Sequence, residues 1–551
     1  MCRKIAALMS VIITLVYLLP CVIAFAYADE ANELIWKTEE IKNSGDHYAV
    51  IDNCRRIIKY MENEPLTDTV NEVISSRYQA MALAYEALGD YKSSAKAYNE
   101  MIPYLESNTS KNMYDLIKEA KEKVLQYTPE VKAYVDQGDI TYFGAKNEPQ
   151  NGVLFGLCSD GKSVNKIKND SAKLVYCEIG DTDLSYEEYV INAASNSGQA
   201  VEFALNCPNH EYDIKNIYSY EGCLSAISDM ISKYSNVPVY LRFAAEFNVW
   251  PQPPTANEFI SAFRYVSDIF HKYNDNVAVV WSPNQISNWN LTLDNYYPGD
   301  KYVDWVGLSL YAVIYALNDS NNSNDYMDVM YRAGKAADPV KAIRGIVSKY
   351  GYKKPIMISE SGCGHTFING STKTDFSDWA VERLTEYYTY LPMVYPQVKF
   401  MAYFDKYMNE AYDFQLSAGR NMEKTFNKLT ESDRFIHKKA GRSAPIVYSE
   451  IKNNTVLNNK SSLSAYTHIY SRGTHHVSYY IDNSLVGTSY ELPYSVKLNT
   501  RHFSEGAHEL KVEAVDMVGD TYTIKSSVQL SHEDKPKPNI SEEVENKRME
   551  D

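Results

Sequence analysis

Between about residues 150 and 440 the chain repeats one pattern: an apolar run of strand length, an amphipathic stretch, then another apolar run. Eight such runs lie at 152–157, 173–179, 199–205, 237–243, 277–282, 302–311, 354–360 and 398–404. Strands that are apolar on both faces belong in a parallel sheet covered by helices on each side. Eight of them predict a central (β/α)8 TIM barrel, assigned to 145–440. The alternative, an open doubly wound sheet, calls for a glycine-rich turn after its first strand. Cys158-Ser159-Asp160-Gly161-Lys162 is not that turn.

The remaining chain divides on either side of this block, as expected for 551 residues, which are too many for one core. Residues 29–135 read as an N-terminal α-helical, repeat-like region. Within 81–101, helical spacing is broken at Gly89-Asp90 and then resumes. Ala84, Leu88, Gly89, Tyr91, Ala95 and Tyr98 resemble a tetratricopeptide repeat. Such an array implies a protein partner, whereas a plain helical cap does not, and both readings stand. Residues 441–531 turn to short alternating strands and predict a C-terminal β-sandwich of immunoglobulin-like size, similar to modules appended to secreted bacterial enzymes. Residues 532–551 are charged, and disorder is expected.

At the N-terminus, Arg3 and Lys4 precede an apolar stretch that ends in Ala26-Tyr27-Ala28. This predicts a signal peptide over 1–28, or an uncleaved membrane anchor, and a secreted or envelope-associated protein. The net charge of −16 excludes a nucleic-acid partner, which needs a basic face. Cys54, Cys158, Cys177, Cys207, Cys223 and Cys363 form no CxxC pair. No metal or other cofactor is expected, and buried free thiols are the simpler reading.

Two strand exits carry carboxylates: Glu246, after 237–243, and Glu360, closing 354–360. In a barrel the active site lies at the C-terminal mouth, and two facing acids there are what hydrolysis of a glycosidic bond requires. Arg242 is placed to hold Glu360 ionised, with Tyr311 as a further hydrogen-bond donor to it. Asn248, Trp250, Trp281 and Asn284 are read as sugar contacts; Phe404, Asp405, Tyr407 and Trp289 as cleft walls; Asp160 as a further sugar contact. Trp305 is assigned to core packing, Asp304 to a cap or salt bridge, His365 to a surface loop and His475-His476 to a turn.

Taken together, Arg242-x-x-x-Glu246-x-Asn248, the stretch 262–284, YVDWVGLSLY and PIMISESG resemble glycoside hydrolase family 26, the β-mannanase family. The resemblance covers about 150–440. It implies Glu246 as acid/base, Glu360 as nucleophile and net retention through a covalent glycosyl-enzyme. Two positions depart from the pattern. Ala245 stands where the family has a histidine, and Phe404 where an indole platform is expected. The implied substrate is a β-linked polysaccharide (mannan-like, glucan or exopolysaccharide) cut by an endo-acting enzyme. The other reading is a non-catalytic carbohydrate-binding or scaffold protein in exopolysaccharide export.

Overall fold

The computed structural model describes residues 29–159, 166–287, 291–315, 324–408, 411–438 and 446–535. The predicted signal or anchor segment, Asp160, Trp289 and residues 536–551 lie outside them. The chain forms two compact units.

The first unit takes in residues 29–130, with 315, 324–330 and 468–473. Among its described residues are five successive helices, Asp29–Asn43, His47–Met61, Asp68–Ala87, Tyr91–Glu106 and Tyr114–Tyr127, and the separate helix Asn324–Met330, which packs against the last of them. Each of the five packs against the next. The starts of the second, third and fourth are set by side-chain caps: Asp46 accepts from the Ala49 N–H, Thr67 from Val70 and Asp90 from Ser93. Gly89, at φ +70°, makes the turn between the third and fourth helices, where the sequence breaks. Tyr98 is buried there, donates to Glu86 at 2.9 Å and accepts from Lys123 at 2.7 Å.

The second unit holds the barrel. Its strands, in order, are Leu154–Ser159, Ala172–Glu178, Ala200–Asn206, Val239–Phe243, Val277–Trp281, Trp305–Ala312, Ile356–Cys363 and Val398–Asp405. All eight predicted runs are strands of one closed parallel barrel. The eighth pairs with the first, Phe400 opposite Leu154 through Asp405 opposite Ser159.

Alternation along each strand sorts residues to two sides. Ala172, Ala200, Tyr240, Ala278, Val280, Trp305, Met357, Phe400 and Ala402 pack together inside the barrel. Val239, Leu241, Val279, Trp281, Val306 and Leu308 face outward, into the core shared with the helices. Trp305 is fully buried, as expected, and its indole donates to the Lys146 carbonyl.

A sandwich of two sheets completes the unit. One has four strands and the other five, around a core that includes Val135, Leu463, Val477, Tyr479, Val512 and Val528. Two boundaries differ from expectation. Glu130–Val135, predicted as the end of the helical region, is a strand of the four-stranded sheet: Val131, Ala133 and Val135 alternate toward the sandwich core. The last strand, Thr521–Asp534, runs past 531, where Asp534 meets Lys460 and Asn459. Its ladder partners outweigh the charged composition of 532–534.

Candidate active site

Arg242 is the centre of the barrel mouth. It lies on the inward register of the fourth strand and is 1% exposed. Its Nε donates to Ser282 at 3.1 Å, Nη2 to Ser309 at 2.8 Å, and Nη1 to the Glu360 carboxylate. Ser282 is in turn bonded to Ser359 at 2.6 Å. The guanidinium is thus held by side chains of the fifth, sixth and seventh strands or their exits, which fixes its plane.

Glu360 receives three donors. Besides Arg242, Tyr176 of the second strand donates to Oε1 at 2.8 Å, and Tyr311 of the sixth donates to Oε2 at 2.6 Å. Burial pushes its pKa up, but the Arg242 charge and these hydrogen bonds outweigh burial, so the carboxyl is held below its ordinary value. Strict alternation would turn Glu360 outward, with Ile356 and Ile358. The ladder to the sixth strand shifts between Leu308–Ile358 and Ser309–Glu360. This bulge at Ser359 lets both Ser359 and Glu360 face the barrel interior. Gly362 allows the Tyr311 ring to lie flat on the strand, since a Cβ there would come within 3.0 Å of the ring.

Glu246 is brought in by backbone strain. Ala244 (φ +48°) and Glu246 (φ +58°) are both left-handed, a costly conformation for residues with a Cβ. The turn is pinned by Ala244 N–H to Leu205 carbonyl (3.0 Å) and Glu246 N–H to Ser282 carbonyl (2.9 Å). Asn284 donates to Glu246 Oε1 at 2.8 Å. Burial first, and then the charge of Glu360, raise the pKa of Glu246; Arg242 and hydrogen bonds from Ser309 and Asn284 offset this in part. Arg242 therefore touches Glu360 directly and reaches Glu246 through Ser309. The two carboxyls are pulled in opposite directions.

Arg242, Asn284 and Tyr311 thus meet the two acids. Other expected contacts are placed differently. Trp281 is fully buried on the outward register, against Phe247, Tyr297 and Tyr350, and does not reach the mouth. Its parity on the strand, opposite to Val280, decides this. Asn248 is fully buried and donates to the Asn284 and Ile286 carbonyls and the Ser287 hydroxyl, so it braces a loop. Asp405 is fully buried, accepting from Ser159 and the Leu416 N–H. His365 is also buried, bonded to Thr366 and the Gln415 carbonyl, so it is no exposed loop residue. Asp304 binds His271 at 2.7 Å just before the sixth strand begins, away from the mouth.

Trp250 is mostly buried, its ring 5.1 Å from that of His210. Phe404 stands edge-on to Tyr311 and Phe414. Tyr407, half-buried, carries Lys373 over its ring. Among the described residues the six cysteines are free thiols, five of them buried.

Tyr176 and Glu202 were not anticipated. Both sit on inward positions of apolar runs, and the signal was their register shared with Leu174 and Ala204. Glu202 is fully buried, 3.8 Å from Arg242, and both its oxygens lack a hydrogen-bond partner. Burial drives its pKa far up, against the pull of Arg242. It lies beneath the charged pair, on the same side of Arg242 as the barrel interior. Among the described residues, no group of three or more His, Cys, Asp or Glu is arranged to hold a metal ion.

The model of glycosyl hydrolase family 26 matches residues 188–382, a stretch that contains Arg242, Glu246, Asn284, Tyr311 and Glu360. Beta-1,3-xylanase TXYA of a Vibrio species is 25% identical over 187 residues, covering 30% of this chain and 39% of that protein. A beta-1,3-xylanase of an Alcaligenes species is 24% identical over 199 residues, covering 30% and 38%. The chain thus spans about two-fifths of the length of these relatives. Among solved structures, a Cellulomonas fimi endo-beta-1,4-mannanase double mutant aligns at a TM-score of 0.37 and 14% identity, over 68% of this chain and 94% of that one. Residues 188–382, from the third to the seventh barrel strand, are similar to glycosyl hydrolase family 26.

Proposed function

We propose that this protein is a retaining β-glycosidase, with Glu246 as acid/base and Glu360 as nucleophile. The observation that carries the reading is the opposite pull on the two carboxyls. Glu246 is driven toward the protonated form and Glu360 is held ionised. Acid and nucleophile are distinguished in this way when two carboxyls share one site. Arg242 and Ser309 link the two carboxyls at one mouth, as a shared catalytic centre requires.

Glu246 gives its proton to the departing glycosidic oxygen as a Glu360 oxygen bonds to the anomeric carbon and the C–O bond to the leaving sugar breaks. Glu246, now a carboxylate, takes a proton from water. That water attacks the same carbon, and Glu360 leaves as carboxylate. Arg242, Tyr176 and Tyr311 keep Glu360 charged at rest and take up its charge again on release.

The substrate is a β-linked polysaccharide cut internally, and the names of the sequence relatives make β-1,3-xylan the first to test. The apolar N-terminal segment supports export, and the helical region supports a protein partner there. A second reading, a non-catalytic sugar-binding protein, is favoured by Ala245 in place of the family's histidine.

Reducing-end release from xylan, mannan and mixed-linkage glucan separates the two. Glu360→Ala is expected to abolish release while leaving the fold intact. Glu246→Ala is expected to lose about 10²–10⁴-fold in rate, the range for general acid catalysis, and to be rescued by azide as the β-glycosyl azide. Binding without release across the panel, or an α-configured product, would reject the retaining mechanism.

A further inference from the structure

Lys406 leaves the eighth barrel strand at the mouth. Its ammonium lies over two rings, 5.0 Å from the centre of Tyr176 and 5.7 Å from that of Phe404. Tyr176 is the residue whose hydroxyl donates to Glu360. Lys406 thus sits one aromatic ring away from that carboxylate. Its other polar neighbour is the Cys158 thiol, which burial keeps protonated.

Lys373 stands in the hairpin Thr366–Asn369 and Thr372–Asp375, which follows the Glu360 strand, and lies 5.1 Å over the ring of Tyr407, the residue after Lys406. Among the described residues, no carboxylate lies within ion-pair distance of either ammonium. The nearby acids are otherwise engaged: Asp405 with Ser159 and Leu416, Asp413 with the Gln415 N–H, Asp375 with Ser377.

Among the described residues, Lys406 beside the Glu360 donor Tyr176, and Lys373 over Tyr407, thus carry no carboxylate partner in a chain of net charge −16. The side of the mouth around Glu246 differs: there the neutral Asn284 donates to the carboxyl, and Trp250, four residues on, packs against His210. A neutral sugar needs no ammonium, and an aromatic face alone would bind it. A sugar bearing an anion next to the ionised Glu360 would be repelled unless a cation offsets it. Lysine provides such a point charge on a flexible stem.

We propose that Lys406 and Lys373 form an anion-recognising rim, so that the sugar bound beside Glu360 carries a carboxylate or sulfate substituent. This deepens the glycosidase reading and rests on it for the orientation of the chain in the cleft.

The test is binding of β-linked hexuronate-containing tetrasaccharides, each as the free acid and as its methyl ester, to the full chain carrying Glu246→Gln. A sulfated set beside its desulfated form tells a sulfate substituent from a carboxylate. One anionic set is expected to bind at least tenfold more tightly than its neutral form, and added NaCl is expected to erase the margin. Lys406→Met in the same background is expected to remove most of the margin, and Lys373→Met part of it. No margin in either set, or a Lys406→Met change that weakens anionic and neutral forms equally, would overturn the rim.

Hydrolysis by the wild type is read separately. Anion-selective binding without hydrolysis of any substrate would reject the catalytic assignment alone. Hydrolysis with no anion preference would reject the rim alone.

Discussion

The two carboxyls differ in donors more than in exposure. Glu360 accepts from Arg242, Tyr176 and Tyr311; Glu246 has Asn284 and the shared Ser309. Under the proposed roles, activity requires Glu360 ionised and Glu246 protonated, and the pH profile is expected to have one limb from each. Tyr311→Phe removes a donor to a charged oxygen, which is worth about 1.5–3 kcal/mol. The expected result is a fall of about 10–100-fold in kcat/KM and an acid limb moved to higher pH, because Glu360 then protonates more readily. Asn284→Ala removes a bond that favours ionised Glu246, so the alkaline limb is expected to move up instead. A pH series on both variants checks the pair, and limbs moving together would contradict the assignment. At this scale the sequence was informative where a residue lay at a strand exit: Arg242, Glu246, Glu360, Asn284 and Tyr311 meet. It misled at Trp281 and Asn248, chosen by residue type, because burial and parity settled their roles. Tyr176 was overlooked because a tyrosine inside an apolar run reads as core.

Strands and helices carry the next level of control. The bulge at Ser359 turns Glu360 into the barrel, and left-handed Ala244 and Glu246 turn the other acid over the mouth. Neither follows from hydrophobic periodicity. The helix Ser377–Val394 carries a second, half-buried charge pair, where Glu386 meets Arg383 at 2.8 Å. Burial raises the Glu386 pKa to about 7, with Arg383 pulling it down and Asp338 pushing it up. A carboxyl whose folded pKa is raised contributes stability that is present below its unfolded value, near 4.5, and is lost as pH rises toward 7. Glu386→Gln mimics the protonated form. It is expected to match the wild type near pH 4 and to exceed it by about 2–3 kcal/mol near pH 8, at ~1.4 kcal/mol per pKa unit. Urea unfolding at the two pH values measures this, and a pH-independent difference would show that Glu386 stays ionised.

At the scale of the molecule, the barrel is threaded through the sandwich. Glu130–Val135 enters the four-stranded sheet before the first barrel strand, and Ser449–Glu450 pairs with it after the last. Tyr466 of that sheet donates to Asp338 beside the barrel and packs edge-on to Tyr390. Sandwich and barrel are therefore expected to unfold together. A chain ending at 440 strands Val131, Ala133 and Val135 without partners and is expected to be insoluble or inactive; a soluble, active truncation would show the barrel to be independent. Periodicity alone determined the eight strands, their order and the helical character of 29–130, because apolar spacing reports which faces must leave water. Only the tertiary structure decided which side chains share the mouth and which strand closes the sandwich. Those outcomes depend on bulges, left-handed turns and pairings between distant segments, where the energy lies in contacts that no local window contains.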